Sequence, residues 1–448
     1  MHSRGYLRRA AISLAALLWA LPAAAQTAPA SGDFWSRADL FGDMGGLRSL
    51  LAPYGVTLGL TDSENLLANL AGGVKQGATM QGVTTATLDL DTAKAFGLPG
   101  GTFHISALQI HGQSLSGPYL DNLQGANGNE APGATRLWEL WYDQASPGGR
   151  FDIKIGQQSI DNEFLVSQYS GLFVNTMAGW PLIPSTDLYG GGPAYPLSSL
   201  GIRLQAKPTA ALTLLAGVFD DNPGGGAFTD DAQRLDRSGA LFNLNTGALF
   251  IAEAQYATRI GGFAGTYKLG GWYDTGAFPD QNISTNGLPL NDPAGSGTPL
   301  MHRGNFSLYA VADQTVWQST ADGARTLNLF GRIMGAPEDQ NLVSFFFNGG
   351  LTLTAPFPSR PKDQAGIDFG IGRVSSQASA YAQGSGNPAR GTEELIELTY
   401  QAQITGWLVL QPDMQYIVNP GGGIPDPAHP SQLLRNEFVL GARAVVSF

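Results

Sequence analysis

Apolar and polar residues alternate along most of this chain with a period of two, as in β-strands whose two faces meet different surroundings. The stretch from Glu437 to Phe448 shows the pattern clearly: its even positions are all apolar, and Gly441, Arg443 and Ser447 lie between them. Its closing aromatic residue, Phe448, is expected of a strand that closes a membrane barrel. The alternative from this stretch alone is the edge strand of a soluble sandwich.

The same alternation recurs in about sixteen segments from residue 54 onward, each close to the ~10 residues with which a tilted strand crosses a membrane. Residues 151–156 read FDIKIG and residues 396–401 read IELTYQ, whereas residues 101–113 are ambiguous because apolar residues fall on both parities. A soluble sandwich seldom needs so many strands with a polar face each. The pattern therefore predicts an all-β fold, a transmembrane antiparallel β-barrel of about sixteen strands.

The links between the predicted strands are alternately short and long. Ser146–Gly149 and Lys207–Thr209 are rich in turn-forming residues and predict short periplasmic turns. The long links predict extracellular loops, which in barrels of this kind face the outside. They are residues 114–134, 160–198, 220–246, 276–303, 376–389 and 419–436.

The N-terminal residues have the pattern of an export signal. Arg4, Arg8 and Arg9 precede an apolar run, which is followed by alanines at 23–25. A basic start, a short apolar segment and small residues before the cleavage point predict a signal peptide over residues 1–25. We expect residues 26–53 to be a short periplasmic lead-in with helical character and residues 54–448 to be the barrel domain.

Composition narrows the class of protein further. Charged residues make up 14% of the chain, against roughly a quarter in soluble domains. Without the three arginines of the signal peptide the formal charge falls from −11 to −14, which argues against nucleic acid as a partner. There is no cysteine, so no disulfide framework is expected, and no apolar run after the signal is long enough for a transmembrane helix.

A motif near the C-terminus indicates the family. Residues 411–422 read QPDMQYIVNPGG, preceded by Glu397 and a Thr405-x-Trp407 turn. This order resembles the OprB-type carbohydrate-selective porins, and weaker matches extend upstream over nearly the whole mature chain. The resemblance implies a barrel that lets mono- and small oligosaccharides such as glucose diffuse across the outer membrane of a Gram-negative bacterium. It implies no catalysis, cofactor or metal, favours a monomer in outer-membrane lipid, and makes Phe448 a contact for the barrel assembly machinery.

Polar and aromatic residues of lumen parity are the candidates for lining a sugar path. Sugar hydroxyls need donors and acceptors, and the apolar faces of sugar rings pack on aromatic rings. The presence of both charge signs suits a neutral solute. The candidates are Glu139, Trp141, Lys154, Arg203, Glu253, Trp272, Arg332, Glu397, Gln401, Gln411, Asp413 and Gln415.

The link over residues 160–198 is too long for a simple connection and carries many aromatic residues. We expect it to fold into the lumen and narrow it, with Phe173, Asn175, Trp180 and Tyr189 at the constriction. The alternative is a lid packed over the outer rim of the barrel.

Other functions have weaker support. A porin for small polar solutes in general, including organic acids, is the first alternative. A barrel enzyme acting on lipids or glycans would need a Ser–His pair or a metal site, and His104 and His111 should point to opposite faces of one strand. An adhesive surface barrel is a further alternative. Asp220, Asp221, Asp230 and Asp231 are a weak Ca²⁺ candidate, more simply explained as a solvated acidic loop.

Overall fold

The computed structural model describes residues 33–320 and 323–448, so the predicted signal peptide lies outside the described residues. Sixteen of the described strands form one closed antiparallel barrel, as predicted, and two form a separate hairpin. The barrel strands are β1 (Val56–Ala71), β2 (Gly77–Asp91), β3 (Gly101–Gly112), β4 (Ala134–Ala145), β5 (Phe151–Gln158), β6 (Ser199–Ala206), β7 (Leu212–Asp220), β8 (Ala248–Ile260), β9 (Phe263–Ser284), β10 (Pro299–Gln318), β11 (Thr326–Gly335), β12 (Val343–Thr354), β13 (Gln364–Val374), β14 (Thr392–Gln403), β15 (Leu408–Val418) and β18 (Glu437–Ser447). The hairpin is β16 (Pro425–Asp426) with β17 (His429–Leu433).

Each barrel strand pairs with its neighbours in sequence, and β18 closes the barrel by pairing with β15 on one side and β1 on the other. The alternating pattern separates the two surfaces. On β11, Asn328 and Arg332 are buried, whereas Leu329 and Ile333 are 43% and 46% exposed. Since lipid surrounds such a barrel, the apolar side chains face the bilayer and the polar ones face the lumen.

Strand β3 shows why residues 101–113 are ambiguous in the sequence. Leu108 and Ile110 are buried on its inward face, where they pack with Ala131, Trp138 and Tyr195. Two of these partners, Ala131 and Tyr195, belong to loops that fold back into the barrel. An inward face covered by protein carries apolar residues like the outward face, so the period of two disappears.

The prediction of one long loop over residues 276–303 is wrong for half of its length. Strand β9 continues to Ser284 and β10 begins at Pro299, so the loop covers only residues 285–298. The glycine and proline residues of this stretch suggest a loop, but the two strands remain paired, with Met301 opposite Pro279 and register shifts nearby. The strands tolerate these residues because the ladder is irregular there.

The lead-in forms a strap along the end of the barrel where β1 begins and contacts the last barrel strand. Leu40 N donates to Ser447 O at 2.7 Å, and Arg48 Nη2 donates to Phe448 O at 2.6 Å. The rings of Phe41 and Phe448 lie 5.1 Å apart. These contacts join residues near the two ends of the described chain.

The described helices are short. The α-helices are α1 (Leu47–Leu51), α2 (Thr92–Phe96), α3 (Thr176–Gly179), α4 (Leu182–Asp187), α5 (Ala232–Leu235) and α6 (Ser376–Gly384). Further single turns, 3₁₀ except for the π-type turn at 116–120, are Met44–Gly46, Ala52–Tyr54, Ser116–Leu120, Ile160–Asn162, Ser170–Leu172, Tyr189–Gly191 and Pro420–Gly422. Within residues 33–320 and 323–448, no helix is long and apolar enough to cross a membrane.

Candidate functional site: the barrel lumen

The lumen is bounded by the inward faces of the strands and by the loop between β5 and β6, residues 159–198, which we call the inserted loop. Strand alternation places all the predicted lining residues on the inward face. Asn175, Met177 and Leu172 of the inserted loop contact side chains in the middle of β11, β14 and β15, so the loop lies inside the barrel and not over its rim.

One wall of the lumen binds the inserted loop through its polar side chains. Val174 N donates to Glu397 Oε1 at 2.6 Å, and Asn175 N donates to Glu397 Oε2 at 3.2 Å. Asn175 Nδ2 donates to Gln415 Oε1 at 3.1 Å, and Gln411 Nε2 donates to Leu172 O at 2.6 Å. Because a buried polar group is costly without a partner, these pairs satisfy both the wall and the loop.

Arg332, on β11, is the most extensively bonded of the predicted residues. Its guanidinium donates to the backbone carbonyls of Leu165 and of residues 177–179, and its Nε donates to Asn348 Oδ1 at 2.9 Å. Only 1% of its surface is exposed. A guanidinium has five N–H donors in a fixed plane, which allows one side chain to hold several carbonyls of a folded loop.

The opposite wall binds the first part of the loop. Leu165 N donates to Glu253 Oε2 at 2.9 Å, and Ser167 Oγ donates to Asp313 Oδ1 at 2.5 Å. Asp313 was not among the predicted lining residues, although its parity on β10 matches that of an inward position. The loop therefore spans the lumen from β8 to β15.

Two carboxyl groups of the inserted loop are deeply buried. Asp187, in α4, accepts from Leu342 N at 3.0 Å, and burial raises the pKa of its carboxyl well above the usual range. Burial also raises the pKa of Asp161, whose carboxyl accepts from Ser159 Oγ and Tyr195 N. Both groups fix the loop locally, because their oxygens satisfy backbone or hydroxyl donors that would otherwise be buried alone.

The four predicted constriction residues, Phe173, Asn175, Trp180 and Tyr189, are all buried. Trp180 packs in an apolar cluster with wall residues such as Trp272 and Phe346, and Phe173 packs against Phe330. These side chains thus hold the loop against the wall, and the predicted lining residue Trp272 lies beneath the loop. On the loop, residues exposed to solvent include Asn162, Gln168, Gly171 and Gly179.

A group of polar and aromatic side chains on β3–β6, joined by Glu163 of the inserted loop, includes carboxylates that remain partly exposed. We call Asp143, Asp152, Lys154, Glu163 and Arg203 the charged cluster. Arg203 contacts three carboxylates of this cluster, with Nη2 2.9 Å from Asp143 Oδ2 and Nε 2.6 Å from Glu163 Oε2. Lys154 pairs with Glu163, and the side chains of Asp143 and Glu163 remain about one-fifth exposed, at 20% and 22%.

Trp141 lies beside the charged cluster. Lys154 Nζ lies 4.5 Å from the centre of its ring, and the His104 ring stacks on it at 4.7 Å with an interplanar angle of 12°. His104 Nδ1 is 2.7 Å from Asp89 Oδ1. Sequence parity identified Trp141, Lys154 and Arg203, whereas Asp143 and Asp152 were missed although they share that parity.

The candidate Ca²⁺ residues do not form one site. Asp231 caps α5 and pairs with Arg234, and Asp230 accepts from Ala227 N. Asp220 and Asp221 are buried, so they do not belong to a solvated loop. Within the described part of the chain, no group of three or more His, Cys, Asp or Glu residues has the geometry to hold a metal ion.

Comparison with known proteins agrees with the geometry. Porin B of Pseudomonas aeruginosa is 26% identical over 416 residues, which are 86% of this chain and 87% of that protein. The putative porin QuiX of Acinetobacter baylyi is 25% identical over 429 residues, covering 88% and 91% of the two chains. The high-pH structure of Pseudomonas putida OprB superposes with a TM-score of 0.82 at 23% identity, over 93% of this chain and 100% of that one.

The family assignment does not depend on these pairwise likenesses. Residues 75–448 match the carbohydrate-selective porin family, OprB. The matched range includes all the barrel strands except β1. The motif at residues 411–422 and the sixteen-stranded closed barrel agree with that match. The chain therefore belongs to the OprB family of carbohydrate-selective porins and is an outer-membrane carbohydrate porin.

Proposed function

We propose that mono- and small oligosaccharides cross the barrel by diffusion past Trp141 and the charged cluster, without a catalytic step or an energy source. The observation that carries this proposal is an aromatic ring, Trp141, beside two paired cations and the carboxylates of Asp143 and Glu163, whose side chains are 20% and 22% exposed. Trp141 offers the part of its ring that Lys154 and His104 leave uncovered to the C–H surface of a sugar ring, and Lys154 and Asp143 offer a donor and an acceptor for hydroxyls.

The inserted loop is proposed to be the constriction. Its hydrogen bonds to Glu397, Gln415, Arg332 and Glu253 hold it across the lumen, so solutes are confined to the side of β3–β6. The predicted lining residues then fall into two groups. Trp141, Lys154 and Arg203 lie along the path, whereas most of the residues on β11, β14 and β15 position the loop.

An alternative function is a porin for organic acids, because Arg203 and Lys154 are cations that could attract anions. Arg203 and Lys154, however, are both paired with carboxylates, and the cluster carries two cations against three carboxylates. This balance favours neutral solutes over anions. Liposome swelling with glucose and with acids of the same size separates the two functions, since an acid porin admits the acids faster.

The proposed function also requires that the chain is exported and assembled into a barrel in the outer membrane. We infer that residues 1–25 are removed near Gln26 and that Phe448 contacts the barrel assembly machinery. Phe448 directly follows β18. This strand closes the barrel because it pairs with both β1 and β15.

Replacing Trp141 by alanine should weaken sugar binding in the pore while leaving ion conductance nearly unchanged. Loss of one ring contact is worth about 1 kcal/mol, or about a fivefold increase in the glucose concentration that half-blocks the current. Planar-bilayer recording with glucose titration measures this. The control is Trp317→Ala, because Trp317 lies near the turn between β10 and β11 and is 43% exposed. An unchanged half-blocking concentration in the Trp141 variant would place the sugar path elsewhere.

Replacing Arg203 by methionine should make the pore prefer cations. The substitution leaves Asp143 and Asp152 without their main counter-charge, and one unit charge at contact distance in water is worth about 1 kcal/mol, or about a fivefold change in the cation-to-anion permeability ratio. The reversal potential in a KCl gradient reports this ratio. Arg234→Met, in an exposed extracellular helix, is the matched control, and an equal shift in both variants would contradict the assignment.

A further inference from the structure

Several large apolar side chains of the strap are exposed, although the strap is not a barrel strand. The strap comprises residues 33–54, and its exposed side chains include Phe34, Trp35, Phe41, Leu50 and Tyr54. Exposed apolar residues concentrated in one short segment usually mark a contact surface, because their exposure to water is unfavourable. The hydrogen bonds from the strap to the end of β18 hold its backbone and leave these side chains unexplained.

The middle of the strap lies against the outward side of the barrel. Phe448 continues the outward parity of β18, to which the exposed Leu440 also belongs. The Phe41 ring lies 5.1 Å from the Phe448 ring, so Phe41 packs on this outward face. Arg48 Nη2 donates to Phe448 O and lies 3.5 Å from Leu58 O, on the part of β1 that extends beyond its pairing with β18. The strap therefore adjoins the lipid-facing surface.

The first part of the strap contacts the turn between β14 and β15. Trp407 Nε1 donates to Phe34 O at 2.9 Å, and the rings of the two residues lie 5.3 Å apart. The backbone also approaches closely here, since a Cβ atom at Gly406 would lie 2.2 Å from Arg37 O. The Trp35 ring lies 5.0 Å from the Phe34 ring and remains exposed. The strap thus extends from the beginning of β15 past the end of β18 to the beginning of β1.

Exposed aromatic side chains mark this end of the barrel on the other strands and links. They include Phe96, Phe151, Tyr256, Trp317 and Phe357. In membrane barrels such residues form a girdle at the boundary between acyl chains and headgroups. On β15, β18 and β1 the outward strand residues nearest this end are the aliphatic Leu408, Val446 and Val56. These three strands are the ones along which the strap lies.

We propose that the strap binds the surface of the lipid bilayer and completes the aromatic girdle at β15, β18 and β1. Trp35, Phe41 and Tyr54 lie in the interfacial layer, where an aromatic ring has acyl chains on one side and water on the other. The occupant is the bilayer because Phe41 packs on Phe448, whose parity is that of the lipid-facing residues. The strap carries three aspartates against two arginines, so its attachment depends on apolar contact and not on attraction to anionic lipid. The inference does not depend on the sugar path.

The test uses the absence of cysteine from the chain, which allows a fluorescent label at one chosen position of the whole porin. Three variants are compared in vesicles of phosphatidylethanolamine and phosphatidylglycerol. Phe41→Cys places the label on the strap, Leu66→Cys places it on the lipid-facing middle of β1, and Ser431→Cys places it on the exposed hairpin. Iodide on both sides of the membrane should quench the label strongly at position 431 and weakly at positions 41 and 66.

Lipids that carry a nitroxide quencher report the depth of each label. A nitroxide near the headgroup should quench the label at position 41 more than one deep in the acyl chains does, and the order should be reversed at position 66. Iodide quenching at position 41 equal to that at position 431 would place the strap in water. A label at position 41 that neither nitroxide quenches would also overturn the proposal.

A second measurement needs no label. The double variant Trp35→Gln, Tyr54→Gln changes two exposed side chains and keeps the contacts of Phe41 and Arg48 with Phe448. In the same vesicles, amide hydrogen exchange of the strap should become about fivefold faster than in the unmodified porin, while exchange of β1 stays the same. Equal exchange of the strap in both proteins would show that its contacts with the barrel hold it without the bilayer, and would overturn the proposal.

Discussion

Replacing Arg332 by methionine will release the inserted loop from the barrel wall and lower the stability of the porin by several kcal/mol. The substitution keeps the apolar stem but removes the guanidinium donors to the carbonyls of Leu165 and of residues 177–179. It also leaves buried Asp368 without a nearby cation. Removing one partner of a buried charged group typically costs about 3–5 kcal/mol.

Two measurements report the loss at Arg332. The temperature of unfolding in detergent should fall, and single-channel records should become noisier as the loop moves in the lumen. Arg259→Met is the control, because Arg259 is exposed and its guanidinium donates to Gly262 O in its own turn. A variant at position 332 as stable and as quiet as this control would show that the loop is held by other contacts.

Deleting residues 164–192 should raise single-channel conductance severalfold and weaken block by sugar. The arms of the loop already lie together, since Ile160 N donates to Pro193 O at 2.8 Å, so a short Gly-Ser-Gly link can join Glu163 to Pro193. The deletion removes Trp180 and the buried apolar residues around it, and water then fills that volume. Conductance rises because the cross-section of the aqueous path increases.

The matched control for this deletion is the exposed hairpin of β16 and β17. Leu434 N donates to Ile424 O at 3.0 Å, so residues 425–433 can be replaced by the same link. That deletion should leave conductance unchanged. If both deletions gave the wild-type conductance, the inserted loop would not be the constriction.

The barrel was predictable because one physical rule applies to every strand. A strand residue that faces lipid is apolar and one that faces the aqueous lumen is polar. Parity along the strand therefore places Lys154, Arg203 and Glu397 in the lumen. The rule does not hold where protein, instead of water, covers the inward face of a strand. On β3, Leu108 and Ile110 are inward and apolar because protein covers them.

The orientation of the loop side chains could not be predicted from the sequence. Aromatic residues such as Trp180 and Tyr189 suggest a surface for sugars, but they are equally suited to hold a loop against a wall, and both are buried. The distinction depends on contacts between residues far apart in sequence, such as Asn175 with Gln415. No periodicity within the loop encodes such contacts.

The strap formed by the lead-in has a consequence for the order of biogenesis. Two acceptors of the strap, Ser447 O for Leu40 N and Phe448 O for the Arg48 guanidinium, lie at the end of the closing strand β18. They are in place only after the final strand has joined the sheet. Docking of the strap is therefore a late event in maturation, and its protection from proteases would mark molecules whose cylinder is complete.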